Sequence, residues 1–237
     1  MDAKRRVYKV QMDANGAATA NEATEVIWYY NLWRNIANSI GNGPYDEPEW
    51  VEDRLYFRSD YSEKLKRWPE WAEFGDWGAW IIAPRPEGCI CVLHSLKHER
   101  EAERNERIEV MFSRFADAGK YIVARIGNGI RSSRNVRQKS LFVDWEAQGL
   151  DSRIRVEAVS HETIDFLVTK RPILDRDYAE QHLRRYTLED NPGAYGIALD
   201  YEQPMMQVLA LSFEELTAAL LEGLPESITS QVPLRRS

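Results

Sequence analysis

Hydrophobic positions divide the chain into short periodic runs separated by Gly, Pro and charged clusters. In "NEATEVIWYYNLWRNIANSI" (21–40), Val26, Tyr30, Trp33, Ala37 and Ile40 recur at spacings of four, three, four and three. That spacing lines one face of a helix. "GNGP" (41–44) ends it, because neither Gly nor Pro continues a helix cheaply. Runs at 5–12, 53–59, 78–84 and 88–95 predict strands, the last two joined by "PRPEG" into a hairpin. "DYSEKLKRW" predicts a short helix stopped by Pro69. In "EREAERNERIEVMFSRFADAG" (99–119), Ile108, Met111, Phe112 and Phe115 fall at i, i+3, i+4 and i+7. They predict a second helix, with Gly119 placed as its C-cap. "KYIVARI" (120–126) then reads as a strand and "GNGIR" (127–131) as a Gly turn.

The second half continues the mixture. "RIRVEAVS" (153–160) and "TIDFLVTK" (163–170) predict a second hairpin that turns at His161 and Glu162. "RDYAEQHLRRYTL" predicts a helix, and "YGIALDY" and "MQVLALS" predict strands. Ser212 and Glu215 in "SFEELTAALLEGL" form an S-x-x-E capping box before an apolar face of Phe213, Leu216 and Leu220. Gly223 closes that helix, and "PESITSQVPLRRS" is expected to fray. Hairpin signals outnumber β-α-β signals, and neither a fixed-period repeat nor a Gly/Ser linker is present. The expected fold is α+β: antiparallel sheet with helices packed on one side, in a single compact domain, an N-terminal helical subdomain being left open. Residues 1–76 read as an N-terminal α/β extension of the same fold, 77–224 as its core and 225–237 as a flexible tail.

Composition narrows the function classes. A hydrophobic share of 43% in 237 residues is enough to bury a real core. The net charge of −7 argues against nucleic acid as partner, since phosphate contacts need clustered positive charge. It suits a basic protein surface, and it is equally ordinary for a cytosolic protein. No run approaches the ~20 apolar residues of a membrane span, and none of signal-peptide length follows the basic start. A cytoplasmic protein without membrane contact is expected. Cys89 and Cys91 lie two apart on one predicted strand and read as reduced core thiols.

Chemistry-bearing motifs are scarce. There is no G-x-S-x-G elbow and no H-E-x-x-H pair. His94 and His98 are four apart, but they straddle a predicted change of element, so no metal site is expected. "GNGIR" lacks the remaining residues of a phosphate loop, and no cofactor is expected. With 38 acids, no carboxylate pair can be singled out. Against this background, residues 125–139 carry five basic residues and no acid: Arg125, Arg131, Arg134, Arg137 and Lys139. Such a stretch is a solvated loop paired with surplus acids, or a patch for an acidic partner. Four of the eight Trp (Trp68, Trp71, Trp77 and Trp80) crowd between residues 68 and 80. They fill a core or grip a partner, Trp being enriched at interface centres. Trp80 opens an apolar strand and reads as core. Trp77, between Gly75 and Gly78, and Trp71 are the candidate anchors. With Arg131 and Arg134 beyond the Gly turn, they make the candidate partner-binding set.

Four stretches in order, "WGAWIIA", "RIEVMFSRF", "DAGKYIVARIGNGIRSS" and "LSFEELTAALLEGL", look familiar together. Over residues 77–224 the chain resembles a family of bacterial polymorphic-toxin immunity proteins, the one that includes the immunity factor of the tuberculosis necrotizing toxin. The first 76 residues have no obvious counterpart. The resemblance implies a non-enzymatic protein that binds a cognate toxin domain in the producing cell. In the named case the toxin is an NAD glycohydrolase, blocked by occupation of its active-site region. The family supplies no catalytic residues to carry over. The rival classes are a hydrolase-like enzyme with a site of Arg and acids, and a phage-type or structural interaction protein. If the basic patch is the binding face, Ala at Arg131 and Arg134 should leave the melting temperature unchanged. A complex should then weaken roughly tenfold or more, ~1.4 kcal/mol per decade.

Overall fold

The structure is a computed structural model that describes residues 16–59, 66, 67, 69, 78–85, 88–96, 105–171 and 174–232. The strand expected at 5–12, the loop tryptophans Trp68, Trp71 and Trp77, and most of the short helix at 60–68 lie outside the described residues.

The helix expected at 21–40 is α1 (Gly16–Ser39). Val26, Tyr30, Trp33 and Ala37 of its stripe are buried, joined by Tyr29 and Ile36. Gly41, at φ 73°, takes the left-handed turn that closes it. An antiparallel meander follows: β1 (Glu49–Val51), β2 (Arg54–Ser59), β3 (Gly78–Pro84) and β4 (Ile90–Leu96). The β3–β4 hairpin has its expected place, with Gly88 at φ 88° in its turn.

The helix expected at 99–119 is not formed. Residues Asn105–Phe112 are strand β5, and helix α2 runs Phe115–Ser132. Ile108 and Met111 belong to one core, whereas Val110 and Phe112 belong to the other. The helical spacing is that of a strand whose faces are both covered. "KYIVARI" is helical rather than extended for a related reason. Tyr121, Ile122, Val123, Ala124 and Ile126 are all buried, so α2 is apolar nearly all round and shows no periodicity to separate it from a buried strand. Gly119 is not a cap. A Cβ there would lie 2.2 Å from Val26 Cγ2, so this glycine sets the approach of α1 to α2.

Helix α3 (Leu141–Gln148) and strand β6 (Ile154–Ala158) come next. The strand expected at 163–170 is helix α4 (His161–Lys170), started by Ser160, whose hydroxyl accepts from the Thr163 amide. Helix α5 (Arg176–His182) runs directly into β7 (Leu183–Leu188), which pairs with β8 (Asn191–Leu199). "MQVLALS" is not a strand but the end of a long 3-10 segment, Asp200–Ala210. Helix α6 (Phe213–Leu221) carries the expected Ser212/Glu215 capping box, and Gly223 at φ 73° ends it. The tail is ordered through a short α7 (Glu226–Thr229), which buries Ile228.

Among the described residues, eight strands join one antiparallel sheet in the order β1-β2-β3-β4-β5-β8-β7-β6. The α+β expectation holds, and residues 16–59 belong to the same sheet and core as the rest. The principal helical layer covers one face of that sheet. There α1, α2, α6 and the 3-10 segment share a core with Leu55, Phe57, Ile82, Val92, Val110 and Phe112. Helices α4 and α5 add a smaller layer on the other face, over Ile108, Met111, Ile197 and Leu199. Among the described residues, no single helix is long and apolar enough to cross a membrane.

Two glycines of α2 give a contrast. Gly119→Ala should lower stability by ~1–3 kcal/mol through overpacking against Val26. Gly129→Ala meets only ordinary contact, 3.8 Å to Asn42, and should raise stability by up to ~1 kcal/mol through helix propensity. Urea midpoints with unchanged slopes would check both.

Candidate functional site

Of the sequence-predicted set, Arg131 and Arg134 lie among the described residues. Trp71 and Trp77 lie outside the described residues. Arg131 does not project from a turn, because residues 127–131 are the last part of α2. It is 3% exposed. Its Nη1 donates to the carbonyls of Leu220 (3.0 Å) and Glu222 (2.6 Å), and its Nε to that of Lys139 (3.0 Å). A cation thus satisfies the orphan carbonyls at the end of α6, where the helix dipole favours it. Gly127 reports the same packing, since a Cβ there would meet Leu220 at 2.6 Å. Arg134 is on the surface beyond the helix end. The basic stretch is therefore dispersed: Arg125 pairs with Glu202, Lys139 with Asp144, and Arg131 is structural.

The more telling geometry lies where the sheet divides. β3 and β4 pair over seven residues, whereas β5 and β8 pair at Met111↔Ile197 and Phe112↔Gly196, with one further backbone bond from the Ser113 amide to the Tyr195 carbonyl at 2.9 Å. The next positions in register, Val110 with Ala198 and Glu109 with Leu199, do not pair. The cause is a bulge. Val92 faces Val110 and Leu93 faces Ile108, so Glu109 is an extra residue on β5. A bulge bends its strand and interrupts pairing. Leu167 and Leu174 plug the resulting fork from one face, where a void of about 10 Å³ remains.

From the other face a polar network spans the fork. Arg125 of α2 holds Glu202 of the 3-10 segment at 2.5 Å, and the Tyr121 hydroxyl donates to Glu202 at 3.0 Å. Burial, then the neighbouring Glu202, holds the Tyr121 hydroxyl well above its usual pKa. Burial opposes the charge on Arg125, but Tyr121 and Glu202 outweigh it and raise its pKa. The guanidinium also lies 5.7 Å from the ring of Trp80 and 5.7 Å from that of Phe142. Trp80 stacks on His94 at 4.4 Å. Burial lowers the His94 pKa below its ordinary value, against Glu109 and with Arg107 and Arg125, so His94 is neutral at pH 7. Beside it Arg107, 41% exposed at its side chain, grips the nearly buried Glu109 at 2.5 Å.

Phe142, Arg125, Trp80, His94 and Arg107 thus form one half-buried aromatic and cationic surface. It places aromatic rings beside Arg side chains. Three of these residues stood out in the sequence for other reasons: Trp80 as core, Arg125 in the basic stretch and His94 beside His98. Tyr201, 53% exposed, stands next to Glu202 on the same segment. A second concavity, on the opposite face, has a volume of about 430 Å³. Its floor is Cys91, Leu93, Ile108 and Phe166, while at its rim Arg54 pairs with Glu106 and Arg85 lies 3.6 Å over Phe166. Among the described residues, no group of three or more His, Cys, Asp or Glu is placed to hold a metal ion.

These features define an α+β protein with a forked, eight-stranded antiparallel sheet and a bridged aromatic surface at the fork. Among solved structures, the chain is similar to Rv3902c from M. tuberculosis, with a TM-score of 0.50 and 13% sequence identity. The match covers 84% of this chain and 88% of that one, and at this identity it shows a shared fold. No family model matches the sequence, and no curated protein does.

The two arginines should behave differently from the sequence expectation. Arg131→Ala strips buried carbonyls of a charged donor and should cost ~1.5–3 kcal/mol. Arg134→Ala should stay within ~0.5 kcal/mol of the parent. Equilibrium urea unfolding of both variants checks this.

Proposed function

We propose that the protein is a non-enzymatic binding protein that neutralises a cognate bacterial toxin domain by covering its active-site region. The observation that carries this reading is the surface at the fork. Its charges are already compensated within the molecule, Arg125 by Glu202 and Arg107 by Glu109, and its rings are held by those same groups. Such a surface is organised before a partner arrives, so little ordering cost is left for binding. Half-buried Trp and Arg supply what interface centres use. The sequence resemblance to the immunity family supports the same reading. The acidic net charge suits a basic toxin surface.

The alternative, an enzyme with an Arg and acid site, has one observation in its favour: His182 Nδ1 lies 2.7 Å from Asp200 Oδ2 on the surface. The two readings separate in one experiment. The protein is co-expressed with the C-terminal domain of its neighbouring gene's product, a secretion module with a variable C-terminal domain favouring the toxin reading and a metabolic operon the enzyme. A one-to-one complex and rescue of growth are expected, both unchanged by His182→Ala. Tyr201→Ala, and Arg107→Gln, which keeps a donor for Glu109, should weaken the complex tenfold or more, with melting temperatures within ~2 °C of the parent. No complex at ~10 μM, with no rescue, would overturn the proposal.

A further inference from the structure

The two edges of the sheet differ. Edge strand β1 has three residues, follows Pro48 and is followed directly by the turn residue Glu52, whose φ is +56°. Short length and a preceding Pro are ordinary protections against edge pairing. Edge strand β6 has neither. It pairs with β7 without a bulge through five consecutive residues, Ile154 to Ala158. All but Ile154 are exposed, and Val156 keeps 42% of its surface in water.

The hydrogen-bond phase shows what β6 presents outward. Arg153 lies opposite Glu189, one step beyond the Ile154↔Leu188 pair, and the Glu189 amide donates to the Arg153 carbonyl at 2.8 Å. Alternation then turns the backbone groups of Arg155 and Glu157 toward β7. Those of Val156 and Ala158, and the Ile154 carbonyl, point away from the sheet, while the Ile154 amide is already engaged by the Asp151 carbonyl at 2.9 Å. Side chains alternate as well. Arg155 and Glu157 share one face, where they form an ion pair of 3.2 Å, and Val156 stands on the other.

The sequence Ile154-Arg155-Val156-Glu157-Ala158 is therefore complementary to itself about Val156. We propose that β6 is a self-association edge, at which a second copy of this chain adds its own β6 antiparallel across a two-fold axis through Val156. In that arrangement Val156 meets Val156 of the other copy, and Ile154 meets Ala158. These are the hydrogen-bonded positions: the Val156 amides and carbonyls pair with each other, and each Ala158 amide donates to the Ile154 carbonyl of the other copy, while the Ile154 amides stay with Asp151. Arg155 of each copy falls opposite Glu157 of the other at non-hydrogen-bonded positions, where side chains come closest. The two internal ion pairs become a ring of four alternating charges. A parallel arrangement, or a shift of one residue, loses this match. The two sheets would join into one of sixteen strands. A two-fold interface of this kind closes on itself and produces a dimer, not a filament. A five-residue contact is small, so association at micromolar rather than nanomolar concentration is expected.

The test is sedimentation equilibrium of the full chain from ~1 to ~300 μM. The parent protein should pass from monomer to dimer across that range. Arg155→Glu and Glu157→Arg each set like charges across the axis and should raise the dissociation constant tenfold or more. The double variant R155E/E157R restores the match and should dimerise again. An equimolar mixture of the two single variants should form the mixed dimer that neither forms with itself, which also shows that both are folded. Val156→Pro, which removes an outward amide and leaves the β7 ladder intact, should abolish association. A parent protein that stays monomeric up to ~300 μM overturns the proposal. So does a dimer indifferent to both charge reversals, or one recovered neither by the double variant nor by mixing. The toxin reading is untouched by any of these results, because β6 is not part of the surface at the fork.

Discussion

The Arg125–Glu202 ion pair is the contact on which the rest of the arrangement turns. β1–β5 and β8–β6 are each continuous antiparallel ladders, but only two residue pairs join them. Ser113 and Tyr195 extend the join by one backbone bond of 2.9 Å, and toward the other end the halves are held by side chains. Leu167 and Leu174 fill the fork from one face, and Arg125 and Tyr121 reach Glu202 from the other. A buried ion pair is often no more stabilising than an apolar replacement. Its value here is positional. Glu202 accepts from Arg125 and Tyr121 together, and that geometry admits one placement of the 3-10 segment over α2.

The same pair sets the surface chemistry. With Glu202 engaged, the Arg125 guanidinium is fixed near the Trp80 and Phe142 rings. Trp80 in turn backs His94, whose neutrality follows from burial. Glu109, the bulge residue that opens the fork, is also the residue that anchors Arg107. One irregularity in β5 thus breaks the ladder, creates the need for a bridge and positions the outermost arginine of the surface.

What the sequence shows depends on whether an element has one wet face. Helix α1, the β3–β4 hairpin, strand β6 and the capping box of α6 each have a polar side or a strong terminal signal, and all four stand where the pattern places them. The misreadings cluster where burial is two-sided. β5 is covered on both faces and bulged, so its apolar residues imitate a helical stripe. Helix α2 is enclosed by α1, α6 and the sheet, and its β-branched run reads as a strand. Gly119 and Gly127 looked like punctuation, yet each marks a close approach of another helix, to Val26 and to Leu220. A single sequence cannot separate a glycine needed for a turn from one needed for contact. The residues at the fork were only partly legible in the sequence. Arg131 appeared free because its partners are carbonyls about ninety positions away. Arg125 and Glu202, 77 positions apart, carry no local sign of each other.

Hydrogen–deuterium exchange of Arg125→Met against the parent tests the bridging role most directly. If the ion pair joins two otherwise independent half-sheets, protection should fall selectively in β5, at the Leu199 end of β8 and through the 3-10 segment, while α1, β2 and β3 keep their parent rates. Unchanged exchange at the fork, or a uniform loss across the whole chain, would contradict it.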